Sequence, residues 1–213
     1  MILNNTLLPW QQQAVDKMIK LKVGALFMES GTGKTIITLE IARRRVEAGR
    51  IDAIVWLCPR SAKDNIRREI IKQCPEELCG LVTICGIETL SSSIKANSYL
   101  LNLTETKSCF LVIDESLLTK NPQAYRTRNI TRIAGRCPYR MILNGTPISK
   151  NEADLFAQFY LLDWRILGYR SYWSFAVNHL EEDEYGKIRR VLNTEYLAEK
   201  ISPYSFEKRK EDC

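Results

Sequence analysis

The chain has 213 residues, enough for one domain with a small appendage, and its 45% hydrophobic content excludes a disordered polypeptide. With 31 lysines and arginines against 25 acidic residues it carries a net charge of +6, a mild basicity that permits nucleic-acid binding without establishing it. The sequence contains no membrane-length apolar run of ~18 residues, the start MILNNTLLPW lacks the basic and apolar regions of a signal peptide, and the lone histidine, His179, lies far from every motif, which excludes catalysis that needs histidine.

The cysteines at 58, 74, 79, 85, 109, 137 and 213 are odd in number and form no C-x-x-C pair. Cys58, Cys85 and Cys109 sit in strand-like apolar runs and read as reduced core thiols of a cytosolic protein; the spacing of Cys74, Cys79 and Cys85 fits no common zinc pattern.

Taken in order, LLPWQ opens a helix at Pro9, with Trp10, Ala14, Met18 and Leu21 toward one face. Gln11, early in that helix, can offer both donor and acceptor to an adenine edge. A short apolar run, Gly24 to Met28, predicts a buried strand, and MESGTGKT follows as a phosphate-binding loop leading into a helix. Glycines at 31 and 33 let the backbone curl so that the N–H groups of Glu29, Ser30, Gly31, Thr32, Gly33, Lys34 and Thr35 can gather on phosphate at a helix N-terminus. Lys34 can neutralise the β/γ-phosphates and the Thr35 hydroxyl can sit on Mg²⁺. Met28 stands where the strict G-x-x-x-x-G-K-[ST] pattern has glycine.

A second buried strand is expected at Ala53–Cys58, with a helix after Pro59-Arg60-Ser61 that turns Ala62, Ile66 and Ile70 inward and shows Lys63, Arg67, Arg68 and Lys72 outward. Leu81–Cys85 reads as a third strand and Ile87–Leu90 as a turn or short helix; Ser91–Thr106 is polar and gives no clear element. CFLVI at 109–113 is a fourth strand ending in Asp114-Glu115. A carboxylate pair there can orient Mg²⁺ through Asp114 and take a proton from an attacking water through Glu115. Ile130, Ile133 and Ala134 suggest a helix, and Arg140–Leu143 a fifth strand ending in Asn144-Gly145-Thr146-Pro147, where Gly145 and Thr146 can sense the γ-phosphate region. Asn151 is expected to cap a helix with Leu155, Phe156, Phe159 and Leu162 inward. Strands alternating with helices in this way predict an α/β fold, a mostly parallel sheet with helices on both faces.

From Asp163 the pattern weakens, and residues 1–163 read as the nucleotide-binding lobe and 164–213 as an aromatic and helical extension closing it. Trp164, Tyr169, Tyr172, Trp173 and Phe175 read as packing of an irregular subdomain, with base stacking the sharper alternative. Glu181–Glu184 is expected as an acidic loop and Glu195–Lys200 as a helix.

As a set, these segments resemble the N-terminal RecA-like lobe of superfamily 2 helicases, specifically the Swi/Snf-type DNA translocases. LLPWQ is similar to the family's opening, SGTGKT to motif I, LCPRSAKDNIRREI to motif Ia, and ICGIETL to its Tyr-Glu-Thr-Leu segment, with Ile87 in the aromatic's place. VIDESLLTKNPQAYR resembles motif II with its Lys-Asn extension, LNGTPISKNEADLFAQFYLLD motif III, and SPYSFEKRKEDC the basic segment closing the lobe. The resemblance implies a three-layer P-loop NTPase lobe, ATP and Mg²⁺ as cofactors (Mg²⁺ on Thr35 and Asp114), catalysis by Lys34, Asp114 and Glu115, and adenine reading by Gln11. It also implies movement along double-stranded DNA, with Arg60, Ser61, Lys63, Lys120 and Asn121 as phosphate contacts. Strand separation on DNA or RNA, or a non-catalytic nucleotide-binding module, are the alternative readings.

Two departures matter. Motif II usually ends in histidine, which couples nucleotide to motif III; here Leu117 stands in that place and cannot hydrogen-bond. The segments of the family's second lobe, with their arginine fingers, are absent from this sequence, so a second RecA-like lobe is an expected partner and the chain an expected lobe fragment or half of a split enzyme. Its compact loops suggest a small bacterial or viral version acting in the cytoplasm.

Overall fold

A computed structural model describes residues 1–148, 152–185 and 187–212. The strands are β1 (Val23–Met28), β2 (Ala53–Cys58), β3 (Val82–Gly86), β4 (Cys109–Asp114), β5 (Tyr139–Asn144), β6 (Leu180–Glu182), β7 (Ile188–Val191) and β8 (Ser205–Lys208). The α-helices are α1 (Pro9–Met18), α2 (Lys34–Glu47), α3 (Lys63–Gln73), the single turn α4 (Glu76–Cys79), α5 (Ile94–Thr106), α6 (Tyr125–Ala134), α7 (Asp154–Leu167), α8 (Tyr172–His179) and α9 (Thr194–Ile201).

Among the described residues the central sheet runs β3-β2-β4-β5-β1-β8, with every neighbouring pair parallel. Strands β1, β2 and β4 are buried along their whole length, as parallel strands covered on both faces must be. Because successive side chains alternate faces, Ala25, Phe27, Val55, Leu57, Leu111 and Ile113 enter one core with α6, α7 and α9. Leu26, Met28, Ile54, Trp56, Phe110 and Val112 enter the other with α1, α2 and α3. The result is the expected three-layer α/β architecture.

Several elements differ from the sequence reading. Ser91–Thr106 contains α5, opened by Ser93, whose hydroxyl accepts from Ala96 N at 3.1 Å. Its buried residues are only Leu100 and Thr104, so it carries little amphipathic signal. The acidic stretch at 181–184 is partly strand: β6 pairs antiparallel with β7. The extension read from 164 onward contributes β8, which joins the main sheet beside β1, with Leu26 opposite Phe206. Where the pattern weakens, α7 kinks at Asp163 (φ −168°, ψ 121°) and continues to Leu167. The expected cap Asn151 lies outside the described residues, and α7 begins at Asp154.

The aromatic segment mostly packs. Phe175 is buried against Phe156, Tyr169, Tyr172 and His179, and His179 is itself buried, bonded to Tyr169 Oη at 2.8 Å and to the Leu192 carbonyl at 3.0 Å. Trp173 remains outside this cluster, exposed.

Candidate nucleotide site

The parallel sheet places the C-terminal ends of β1, β4 and β5 along one edge, where open α/β sheets gather ligands. The loop from β1 to α2 turns there. Gly31 and Gly33 have φ of 86° and 92°, a left-handed backbone that residues with a Cβ seldom adopt. At Gly33 a Cβ would also strike the Gln11 amide and crowd Ile36. Thr32 braces the loop internally, its hydroxyl donating to the Glu29 carbonyl at 2.6 Å.

A cavity of about 660 Å³ opens at this loop. Ser30, Gly31, Gly33, Lys34 and Thr35 line one side, Asp114 and Glu115 the floor, and the face of α3 bearing Asn65 and Glu69 the opposite wall. The Lys34 amine donates to the Met28 carbonyl at 2.7 Å. Burial lowers its pKa from the ordinary value, opposed by the charges of Asp114 and Glu115. Asp114 is buried; desolvation, with Glu115 beside it, pushes its carboxyl up to about 6, against the pull of Lys34 and of the Glu115 N–H. The chemistry of this donor set fits the implied groups: bare loop amides and an amine for phosphate, and a hydroxyl with a carboxylate for a hard oxygen-seeking ion such as Mg²⁺.

Glu115 sits at φ 52°, ψ 52°, one of two non-glycine residues with positive φ among the described residues. Strained backbone of this kind persists where the surroundings over-determine it. Those surroundings include Asn144, fully buried at the end of β5. Its carboxamide can be placed with oxygen and nitrogen either way round. In one, Nδ2 donates to Ser116 Oγ (2.9 Å) and Gln158 Oε1 (3.1 Å), and the amide oxygen faces the Glu115 carboxylate. Turned over, Nδ2 donates to Glu115 Oε2 at 3.1 Å, while Oδ1 accepts from Leu117 N and Ser116 Oγ, each at 2.9 Å. The second gives the Glu115 carboxylate a donor, and it sets Oδ1 3.1 Å from Gln158 Oε1.

The predicted residues thus converge in part. Gln11 lines the cavity, but both ends of its amide are engaged locally: Oε1 accepts from Leu8 N at 3.0 Å and Nε2 donates to the Thr32 carbonyl at 3.3 Å. Glu29 lies at the turn from β1, its carboxylate accepting from Lys210 N at 3.4 Å. Gly145 and Thr146 line a separate, smaller hollow with Glu29, Lys208 and Arg209. Arg60 and Ser61 are exposed just past β2, and the Arg60 N–H donates to Glu88 Oε2 at 2.8 Å, which joins the motif Ia and Glu-Thr-Leu segments. Lys120 lies past β4, paired with Asp154 at 3.5 Å; Asn121 accepts from Gln123 N at 2.9 Å.

The sequence reading missed Asn144, Ser116 and Gln158 as site residues. A signal existed for Gln158: it occupies the inward face of α7 between Leu155 and Leu162, where an apolar residue is expected.

A parallel sheet with a glycine-bearing phosphate loop after β1 and an acidic pair after β4 defines a RecA-like P-loop nucleotide-binding protein. The SNF2-related domain family matches residues 78–198, more than half of the chain, and the family of the type III restriction enzyme res subunit matches residues 4–78. The chain belongs to the SNF2-related domain family.

Among solved structures, the Sulfolobus solfataricus SWI2/SNF2 ATPase core in complex with dsDNA superposes with a TM-score of 0.78 at 23% identity, over 99% of this chain and 46% of that one. The same core domain by itself gives a TM-score of 0.78 at 22% identity, over 100% of this chain and 45% of the other. The Aspergillus fumigatus TATA-binding protein-associated factor mot1 is 25% identical over 96% of this chain and 13% of its own length. The Oryza sativa SNF2 domain-containing protein ENL1 is 25% identical over 51% of this chain and 11% of its own. The chain therefore spans only a small part of these curated relatives.

Proposed function

We propose that this chain is the ATP-binding lobe of a DNA-dependent ATPase that moves along double-stranded DNA. The observation that carries the reading is the crevice itself: two left-handed glycines, a half-buried Lys34 and the Asp114–Glu115 pair around one cavity. Family membership and a relative solved with dsDNA support the choice of DNA.

In this reading the amides of residues 29–35 and Lys34 bind the triphosphate. Thr35 and Asp114 hold Mg²⁺, which when bound offsets charge on the β- and γ-phosphates. Glu115 accepts the proton of the attacking water. Gln11 holds the floor of the phosphate loop through Thr32 and keeps one amide hydrogen and one lone pair for a base edge. A second RecA-like lobe, on the same protein or another chain, supplies arginines at the transferring phosphoryl group, a contribution of about 10³–10⁵ in rate. Arg60, Ser61, Lys63, Lys120 and Asn121 contact DNA phosphates, so binding is salt-dependent and weakly sequence-specific.

The test is the Mg²⁺-dependent ATPase rate with and without duplex DNA, single-stranded DNA and RNA. The 213-residue chain is expected to bind ATP with negligible turnover, and the two-lobed protein to turn over with duplex stimulation. Stimulation by single strands or RNA alone would replace duplex tracking with strand separation. Glu115→Gln is expected to retain ATP and stop hydrolysis; undiminished turnover removes Glu115 as the base.

A further inference from the structure

The cavity at the phosphate loop is short of positive charge. Among the residues lining it Lys34 is the one cation, set against the carboxylates of Glu69, Asp114 and Glu115. A nucleoside triphosphate stays anionic after it takes up one Mg²⁺, so a lining with more carboxylates than amines works against it. The loop amides and the N-terminal end of α2 offset part of that repulsion.

A further cation reaches the loop from its other side. β8 runs parallel to β1 with Lys208 opposite Met28, so the residues after β8 emerge at the same sheet edge as the phosphate loop. In the sheet, β4 with its acidic pair lies two places from β1 on one side, and β8 lies beside β1 on the other. Two contacts fasten this strand end to the loop. The Glu29 N–H donates to the Lys208 carbonyl and the Lys210 N–H to Glu29 Oε2, each at 3.4 Å. The Lys210 side chain then lies back over the loop: a methyl group placed on Gly31 would sit 3.7 Å from its Cε and 4.0 Å from its Nζ. Gly31 itself lines the cavity. Lys210 is exposed, and among the described residues its ammonium makes no ion pair or side-chain hydrogen bond, whereas its neighbour Arg209 pairs with Glu211 at 3.5 Å.

We propose that Lys210 is a second phosphate-contact lysine, seated on the Gly31 rim of the loop, that takes the outermost phosphate of a bound nucleoside triphosphate. The inference rests on the nucleotide-binding reading above and adds to it a selectivity for triphosphate over diphosphate. Placement assigns the phosphate. The loop runs from the end of β1 to the start of α2, and the attacked phosphate lies toward Glu115 at the strand ends, away from α2. Lys210 approaches from the β8 side of β1, opposite the acidic pair, so the outermost phosphate lies between a carboxylate that takes a proton from water and an ammonium that offsets its charge. Glu29 holds the Lys210 backbone and leaves the amine to the ligand. Lysine suits such a rim, because a compact charge on a flexible stem can close on an anion without moving the loop beneath it.

The experiment is calorimetric titration of the 213-residue chain with Mg²⁺ and either adenylyl imidodiphosphate or ADP, for wild type, Lys210→Gln and Lys20→Gln. Lys20 is exposed between α1 and β1, at the opposite edge of the sheet, and its variant removes the same charge. Lys210→Gln keeps the backbone bond to Glu29 and is expected to fold. It is expected to weaken the triphosphate analogue by about tenfold, the loss of one charge-assisted contact at an exposed rim, and ADP by less than about twofold. Lys20→Gln is expected to change neither. Wild-type affinity for the triphosphate analogue in Lys210→Gln overturns the proposal. Equal losses for the two nucleotides overturn it too, since the outermost phosphate is then not the one held, and so does an equal loss in Lys20→Gln, which reduces the effect to net charge. A wild type that binds neither nucleotide overturns the nucleotide-binding reading itself, an outcome distinct from a wild type that binds both and a Lys210→Gln that matches it.

Discussion

Lys34 and Arg45 lie at opposite ends of α2, and burial depresses the pKa of both cations. At the N-terminal end Lys34 borders an open cavity, with two carboxylates across from it. At the C-terminal end Arg45 is 1% exposed, pressed between the rings of Phe110 and Tyr139 at 4.5 and 4.4 Å. It donates to the Leu21 carbonyl at 2.7 Å, its Nε and Nη1 find no partner, and desolvation lowers it to about 10. By burial and pKa alone, Arg45 is the more perturbed group. What separates the two is volume and sign: Lys34 has room for an anion beside it and carboxylates to hold a counter-ion, whereas Arg45 has aromatic faces and carbonyls that occupy its space. A perturbed cation marks a binding site only where something can enter.

The largest effect that sharpens the contrast is Lys34→Ala. ATP affinity is expected to fall by roughly a hundredfold or more, since a charge-assisted contact in a desolvated site is lost. Calorimetric titration checks it, and an unchanged affinity would remove the phosphate-loop assignment. At the other end, Arg45→Ala is expected to destabilise the fold by about 3 kcal/mol through the cavity left between the two rings, with ATP affinity intact; denaturant unfolding and titration together test this. A fall in affinity to match would mean the two ends of α2 are not separable.

Asp114 gives the comparison a pH axis. Its carboxyl is raised from 3.8 to about 6, so the folded chain takes up a proton there before the unfolded chain does. The resulting penalty is full above about 6, fades as pH falls and is absent below the ordinary carboxylate value. Asp114→Asn is therefore expected to raise stability at pH 7 by about 2–3 kcal/mol, to raise it little at pH 4, and to weaken Mg²⁺-dependent nucleotide binding at pH 7. Equal stability gains at both pH values would contradict the shift. The smallest effect is Gln11→Ala, about 1 kcal/mol from the loss of its bond to Leu8 N at the start of α1. A larger loss in ATP affinity than in stability would show that Gln11 also reads the base.

Much of this was legible because it is local. The run from Ala25 to Thr35 is strand, glycine turn and helix start in one stretch, and CFLVI ends in its acidic pair without help from elsewhere. Ala53–Cys58 and Cys109–Asp114 form where their unbroken apolar residues predict. Where local signals were weak the reading was incomplete: α5 carries serines, asparagines and threonines with only two buried positions, and β8 is four residues with glutamate and lysine in it.

The sequence by itself determined the phosphate loop, the carboxylate pair and the parallel α/β order, since each is written in adjacent residues by steric and hydrophobic rules that need no distant partner. Only the tertiary structure decided that β8 seals the sheet beside β1, that Arg45 is held by Phe110 and Tyr139, and that Asn144, Ser116 and Gln158 meet behind Glu115. Those contacts join residues far apart in the chain. A buried polar group reveals its partner only when the sheet has folded and hydrogen bonds must be found for every donor and acceptor inside it.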